Sequence, residues 1–435
     1  MDLLKDKISP IYTKYFWAAF GSAFAGSVYT LVDTAMVGQY HGPMGTAALA
    51  VVAPIYNVIF SMGLLVGIGA SIIFSYTKGE GKDPNRHFTS GIIFSLICSA
   101  ILAVIMWGFE DEYLIFFGAN EELLVLSKVY LKPIKCMAYF FLINQVVAAF
   151  LRNDGDPGRA SFAVLFSNGL NIILDYVMIF TWDMGIYGAG LATSISGVIQ
   201  FLILCTHFLT KKNSLRLELP ESAKALFKDI KDTFVNGFSA FFIDIAMGIV
   251  TILFNRQIMT YLGTDALAVY GVIIMVSTFV QACGYSVGQA AQPLLSVNFG
   301  AGKMDRVKSI FKRAMVSVAI ISIIWTALSL ICPELFVKLF MDATPSVMEI
   351  GPFIVRAYGI SFILLVFNVF STYYFQSILK PTVALIISLS RGLVVSGAAI
   401  LILPALLGGN ALWFAMTIAE LVTSIYVVYK IKKSK

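Results

Sequence analysis

Asp33 and Asp175 each interrupt a long apolar stretch. An Asp at the centre of a membrane helix costs about 2.5–3.5 kcal/mol on insertion scales. Two of them together cost about as much as the whole net stability of a small domain. A proton, a bound cation or a cationic partner must compensate. Around Asp175, the residues Asn168, Asn171, Asp175 and Met178 recur at spacings of three and four, which is one face of a helix. Thr193, after a turn at Gly185–Gly190, can add a hydroxyl oxygen. Two carboxylates, an amide and a hydroxyl are hard donors suited to Na⁺, or to a proton shared by the two acids. The plainer alternative for Asp33 is a place at the outer end of its span, facing water.

The elements that position these residues must lie in lipid. The chain is 58% hydrophobic and 13% charged, with a mean hydropathy of +0.84, whereas a soluble domain carries about 25% charged residues. Twelve apolar spans can be drawn, at 11–37, 47–76, 88–109, 131–151, 160–182, 187–209, 233–260, 266–295, 313–333, 352–378, 382–405 and 410–430. Basic residues gather in the even-numbered connections: Lys78, Lys82 and Arg86; Arg152 and Arg159; Lys211, Lys212, Arg216, Lys224, Lys228 and Lys231; Lys303, Arg306, Lys308, Lys312 and Arg313. The tail adds Lys430, Lys432, Lys433 and Lys435, and the third connection is acidic. The positive-inside rule then puts both termini in the cytoplasm. The net charge of +6 reflects contact with the inner leaflet, not nucleic acid.

Lys5, Lys7 and Lys14 ahead of apolar residues imitate a cleaved signal, but the apolar stretch runs on to Val37. Cys98, Cys136, Cys205, Cys283 and Cys332 all fall in spans without metal spacing and read as packing residues. His41, His87 and His207 are scattered, against a zinc site.

The chain repeats itself. Gly45–Val51 (GTAALAV) matches Gly263–Val269 (GTDALAV), and GEGKD at Gly79–Asp83 matches GAGKMD at Gly300–Asp305. Asn144 precedes Pro157 by thirteen residues, as Asn368 precedes Pro381. The offsets are 218, 221 and 224 residues. The expected fold is an all-α polytopic membrane protein with twelve transmembrane helices in two six-helix lobes, 1–210 and 233–435, related by an axis along the membrane normal. Residues 211–232 join them, either as a solvated linker or as a short amphipathic helix on the inner face. Small residues such as Gly63, Gly67, Gly69, Ala70 and Ser71 suit close helix packing.

The halves differ in their polar residues. Thr251 stands opposite Asp33, Val394 and Ala398 opposite Asn171 and Asp175, and Phe414 opposite Thr193. A coupling-ion site needs only one lobe, which favours a cation site in the N-terminal one. The C-terminal half carries Asp244, Arg356, Arg391 and Glu420. Some of these should pair and some snorkel, with Asp244 best placed to face a cavity or to pair with an Arg.

Four segments resemble the multidrug and toxic compound extrusion (MATE) transporters: VDTAMVG from Val32, LRNDGDP from Leu151, NIILD from Asn171, and GQAAQP from Gly288 followed by NFGA from Asn298. The likeness spans essentially the whole chain and is similar to the MepA-type bacterial branch, with a DinF-like cation motif in the first lobe. That resemblance implies a cation site of Asp33, Asn171, Asp175 and Thr193. Relatives of the NorM type carry an acid where Met247 stands here, with Asp244 one turn earlier.

The function expected is secondary antiport: Na⁺ or H⁺ enters as coupling ion and an organic, often cationic, compound leaves. No other cofactor is implied, and no ATP-binding P-loop is present. Substrate would sit between the lobes, with Tyr139, Asn144, Met178, Asp244, Met275, Gln281, Asn368 and Tyr373 as candidate contacts, each of which also suits core packing. Expected partners are small organic molecules and membrane lipid, for a monomer in a bacterial cytoplasmic membrane. A lipid-linked oligosaccharide flippase of the same superfamily is an alternative that only Arg356 and Arg391 favour. An intramembrane enzyme is a remote one, since no HExxH or other protease pattern occurs.

Overall fold

Backbone polar groups in hydrocarbon must bond within their own segment, so long apolar runs become helices. The computed structural model describes residues 2–211, 213–340 and 344–433; Lys212 and Lys435 lie outside them. Eleven helices among the described residues are long and apolar enough to cross a membrane. The first, Ile8–Gly79, is two helices meeting at Gly42, whose φ of 65° and ψ of −152° only glycine adopts easily, with Pro43 following. Twelve spans result. They are α1 (8–41), α2 (43–79), α3 (Asn85–Gly108), α4 (Glu121–Asn153), α5 (Pro157–Thr181), α6 (Gly185–Leu209), α7 (Ala223–Tyr261), α8 (Thr264–Gly300), α9 (Met304–Ile331), α10 (Pro345–Ser377), α11 (Pro381–Leu407) and α12 (Gly409–Lys433). Short helices Glu110–Phe116 and Pro333–Phe340, too short for the hydropathy reading to separate, follow α3 and α9.

Local chemistry sets the helix ends. Asn120 caps α4 by accepting from the Leu123 amide at 2.9 Å, and Thr344 does the same for Val347 ahead of α10. Pro157 and Pro381, the repeat pair, each open a helix at its first turn. The last turn of α5, Val177–Thr181, widens to a π-helix, as does Ser390–Val394 inside α11.

The chain forms two compact units, Met1–Gly237 with Ser296–Gly302, and Phe238–Leu295 with Lys303–Lys435. In the first, α4 packs against α1, α2 and α6, and α5 packs against α1 and α6. In the second, α10 packs against α9, α11 and α12.

The segment 211–232 forms no separate short helix. Residues 213–220 run without regular structure, and α7 already begins at Ala223. The Arg216 amide donates to Asn85 Oδ1 at 2.9 Å and the Glu218 amide to Thr89 Oγ1 at 2.7 Å, so polar groups at the start of α3 satisfy this backbone.

Where α2 crosses α7, backbones touch. A Cβ on Gly69 would lie 2.1 Å from the Thr233 carbonyl oxygen, and one on Gly237 would lie 1.9 Å from that of Leu65. Gly237→Ala must push the helices apart, and thermal unfolding in detergent should show a loss of about 1–3 kcal/mol. Gly248→Ala, on the same helix with nothing within 4 Å of its new methyl, should be neutral or stabilising by up to about 1 kcal/mol. Equal effects at both positions would contradict the close crossing.

Candidate functional site

Three helices of the first unit bring the sequence-derived set together. α1 supplies Asp33, α5 supplies Asn171 and Asp175, and α6 supplies Thr193; all four are buried, Asp33 at 7% exposure and Asp175 at 0%. Asn171 bridges α5 and α6. With its amide oriented to satisfy both neighbours, Nδ2 donates to Asp175 Oδ2 at 2.8 Å and Oδ1 accepts from the Thr193 backbone amide at 3.0 Å. Thr193 Oγ1 lies 3.5 Å from the Tyr29 hydroxyl. Asn168, a turn earlier on α5, is half-buried, and Met178 is buried inside the π-turn.

The charges of Asp33 and Asp175 act on one another, and Asp33 is buried rather than facing water. Oδ1 of each is buried without a hydrogen-bond partner, and neither acid belongs to an ion pair among the described residues. Like charges in each other's field repel, and more strongly the lower the local dielectric constant. A proton or cation held between them removes that repulsion and supplies the missing partner.

Sequence reasoning missed Tyr29. It precedes Asp33 by one helical turn, the spacing that marks Asn171 and Asp175, but a tyrosine in an apolar span reads as packing. Tyr56 and Tyr130, with rings 6.4 Å apart, both lie in the field of Asp33, and Tyr56 also in that of Asp175.

In the second unit, Asp244, Gln281 and Tyr373 meet around Tyr285. The Tyr285 hydroxyl donates to Asp244 Oδ1 at 3.0 Å, Gln281 Nε2 donates to the Tyr285 oxygen at 2.8 Å, and the Tyr373 ring stands 6.2 Å from that of Tyr285. Gln281 Nε2 also reaches Met247 Sδ. Tyr139 and Met275 are exposed and join neither cluster.

Asn144 and Asn368 have a different geometry. Both are buried, and Nδ2 of each donates to a backbone carbonyl, Gly197 on α6 at 2.8 Å and Glu420 on α12 at 2.9 Å. The repeat therefore preserves an interhelical clamp. The second half also holds a polar network that its sequence counterparts Val394 and Ala398 do not suggest: Arg391 pairs with Glu420 at 2.9 Å, both buried. Arg356 instead donates to the Leu330 carbonyl at 3.1 Å.

The Arg152–Pro157 motif turns between α4 and α5. Asp154 accepts from Lys78 Nζ at 3.0 Å, from the Ser214 amide at 2.8 Å and from the Ser214 hydroxyl. His207 sets Nε2 2.9 Å from Asp154 Oδ2 and Nδ1 3.2 Å from Asp156 Oδ2. The loop thus ties the ends of α2, α4 and α6 to the segment that follows them.

Comparison with known proteins agrees with this architecture. The MatE family profile matches twice, at residues 18–177 and 240–399, stretches of equal length displaced by a distance within the offsets of the internal repeat. Multidrug export protein MepA of Staphylococcus haemolyticus (strain JCSC1435) is 27% identical over 412 residues, covering 93% of this chain and 90% of that protein. MepA of Staphylococcus aureus (strain NCTC 8325 / PS 47) is 26% identical over 397 residues, covering 90% and 86%. An outward-facing multidrug resistance MATE family transporter of the MOP superfamily superposes with a TM-score of 0.91 at 21% identity, covering 99% of this chain and 97% of that one. The chain belongs to the MatE family of multi-pass membrane transporters, and its relatives are of the MepA type.

Burial would raise the pKa of Asp154, but hydrogen bonds from His207 and Ser214 and the charge of Lys78 outweigh it and hold the carboxyl below its ordinary value of 3.8. A group depressed in the folded state contributes stability above its unfolded pKa and loses it as pH falls through the folded one. Asp154→Asn should therefore cost about 1–3 kcal/mol in thermal unfolding near neutral pH. The difference from wild type should shrink below about pH 3.8, where the unfolded acid is itself protonated. A gap that stays constant with pH would show that the carboxylate charge is not what matters.

Proposed function

We propose that this chain is a secondary antiporter that exports organic, often cationic, compounds in exchange for Na⁺ or H⁺. One observation carries the reading: two buried carboxyl groups in each other's field, each with an oxygen lacking a hydrogen-bond partner and neither in an ion pair among the described residues. Asp33, Asn171, Asp175 and Thr193 offer oxygens to Na⁺, and the two acids alone can share a proton. The relatives' names, multidrug export proteins, support export of drug-like molecules. Energy then comes from the membrane, about 2.3 kcal/mol per charge per 100 mV.

Occupancy supplies the coupling. A cation or proton draws α1 toward α5 and α6, and its departure leaves mutual repulsion between Asp33 and Asp175. The two occupancies favour different positions of α1, and an organic cation that prefers one position binds in competition with the ion. Asp244, Gln281 and Tyr373, gathered on Tyr285, are the best substrate contacts among the candidates, joining a carboxylate to aromatic faces. Met178, Tyr139 and Met275 are secondary ones, and Asn144 and Asn368 act as clamps. We place the chain in a bacterial cytoplasmic membrane as a monomer in contact with lipid, with both termini on the basic, cytoplasmic side and with lobes 1–210 and 233–435 joined by 211–232. The flippase alternative now rests on Arg356 alone, because Glu420 neutralises Arg391.

Dye efflux from vesicles, with Na⁺ and pH gradients imposed separately, tests this reading. One gradient should drive efflux, and Asp175→Asn should lower the driven rate about tenfold or more while the protein remains folded. Asp33→Asn should do nearly the same. Wild-type efflux in the Asp175 variant would move coupling elsewhere, with Asp244 the next position to examine.

A further inference from the structure

The two units neutralise their buried acids in opposite ways. Asp33 and Asp175 each keep an oxygen without a partner. Glu420, on α12, has none to spare: Arg391 Nη2 and Nε donate to Oε1 at 2.9 and 3.1 Å, and Asn368 Nδ2 donates to Oε2 at 2.6 Å. Ser424 Oγ in turn donates to Asn368 Oδ1 at 3.1 Å. The π-turn Ser390–Val394 carries Arg391, and such wide turns recur where a helix must redirect a functional side chain.

These helices are repeat counterparts. The Asn368 clamp onto the Glu420 carbonyl answers the Asn144 clamp onto the Gly197 carbonyl, so α10, α11 and α12 correspond to α4, α5 and α6. With Pro381 answering Pro157 at the start of these helices, Arg391 stands where the first unit has Ser167, one turn from Asn171. A guanidinium is planar, carries five donors and keeps its charge at any physiological pH. Unlike Na⁺ or a proton, it cannot leave.

We propose that Arg391 is a built-in counter-cation. It does permanently for the second unit what a mobile cation does at Asp33 and Asp175, so the second unit binds no coupling ion and the first alone sets the counter-ion stoichiometry. The inference rests on the coupling role of Asp33 and Asp175 only for the stoichiometry; the pairing stands by itself. Without Arg391, Glu420 is a buried carboxylate that takes up a proton or Na⁺. Among the described residues, the other titratable groups around the pair are Tyr358, in the field of both partners, and Tyr285, in that of Arg391, with Asp244 behind it.

The test uses the full chain in detergent, with thermal unfolding followed between about pH 5.5 and 8.5, with and without Na⁺. In an Asp33→Asn/Asp175→Asn background, the midpoint should lose its dependence on Na⁺ and on pH across this window. Adding Arg391→Gln should create a new dependence, with the protein more stable in acid or in Na⁺ by a few degrees. Arg391→Lys should leave the background flat, and adding Glu420→Gln to Arg391→Gln should abolish the new dependence. A flat response with Arg391→Gln would overturn the proposal. Residual pH or Na⁺ dependence in the background itself would instead count against the Asp33–Asp175 reading, while the Arg391 arms remain readable as differences from it. If Arg391→Gln alone does not fold, Arg391→Gln/Glu420→Gln in the otherwise wild-type chain decides the matter. It should fold and export with an unchanged number of counter-ions per substrate. A lower number, or failure of this charge-free pair to fold in acid and at neutral pH alike, overturns the proposal.

Discussion

A carboxylate buried in hydrocarbon needs a positive partner, and much of this molecule can be understood as the different ways in which that need is met. Glu420 has a guanidinium that cannot depart. Asp244 is half-buried and accepts from the Tyr285 hydroxyl. Asp33 and Asp175 have no cationic partner among the described residues; Asn171 donates to Asp175 Oδ2, and Oδ1 of each acid is left without a hydrogen bond. Two anions in each other's field repel, so in the proposed function this pair is where the protein takes a cation or proton from its surroundings. That dependence on an outside charge is what makes the pair suited to coupling.

The frame serves this pair by fixing three helices independently. Ser161 Oγ donates to the Ala18 carbonyl at 2.5 Å and the Tyr15 hydroxyl to the Arg152 carbonyl at 2.8 Å, tying α1 to α5 and to the end of α4. The Asn144 clamp holds α6 against α4. Such interhelical bonds average about 0.6 kcal/mol each in membranes; they orient helices more than they hold them together. Close contacts at Gly69 and Gly237 supply dispersion where lipid offers no hydrophobic drive. Beyond Gly42 the chain enters a separate helix, so α1 and α2 are not one rigid rod.

Much of this was legible from the residues. Twelve spans follow from apolar length alone, although Gly42 and Pro43 are needed to see two helices in Ile8–Gly79. Asp33, Asn171, Asp175 and Thr193 could be grouped because an acid in a span is rare and the i,i+4 spacing puts Asn171 and Asp175 on one face. Tyr29 escaped because its apolar ring conceals a hydroxyl that matters only once Thr193 is nearby. Pairing among Asp244, Arg356, Arg391 and Glu420 was expected, but not that Arg391 and Glu420 would be the partners. A π-turn shifts the register within α11, and the partners are far apart in sequence, so no local spacing connects them. Asn144 and Asn368 were visible as a repeat pair, but only their carbonyl partners reveal a clamp between helices.

The central claim is that the Asp33–Asp175 pair exchanges its proton or cation against substrate. The most direct test is to titrate an organic cation that the protein exports into weakly buffered, detergent-purified protein while recording pH and free Na⁺. Binding should release a proton or a Na⁺ ion, and Asp33→Asn/Asp175→Asn should bind without release. Substrate binding by the wild-type protein with neither ion released would contradict the account.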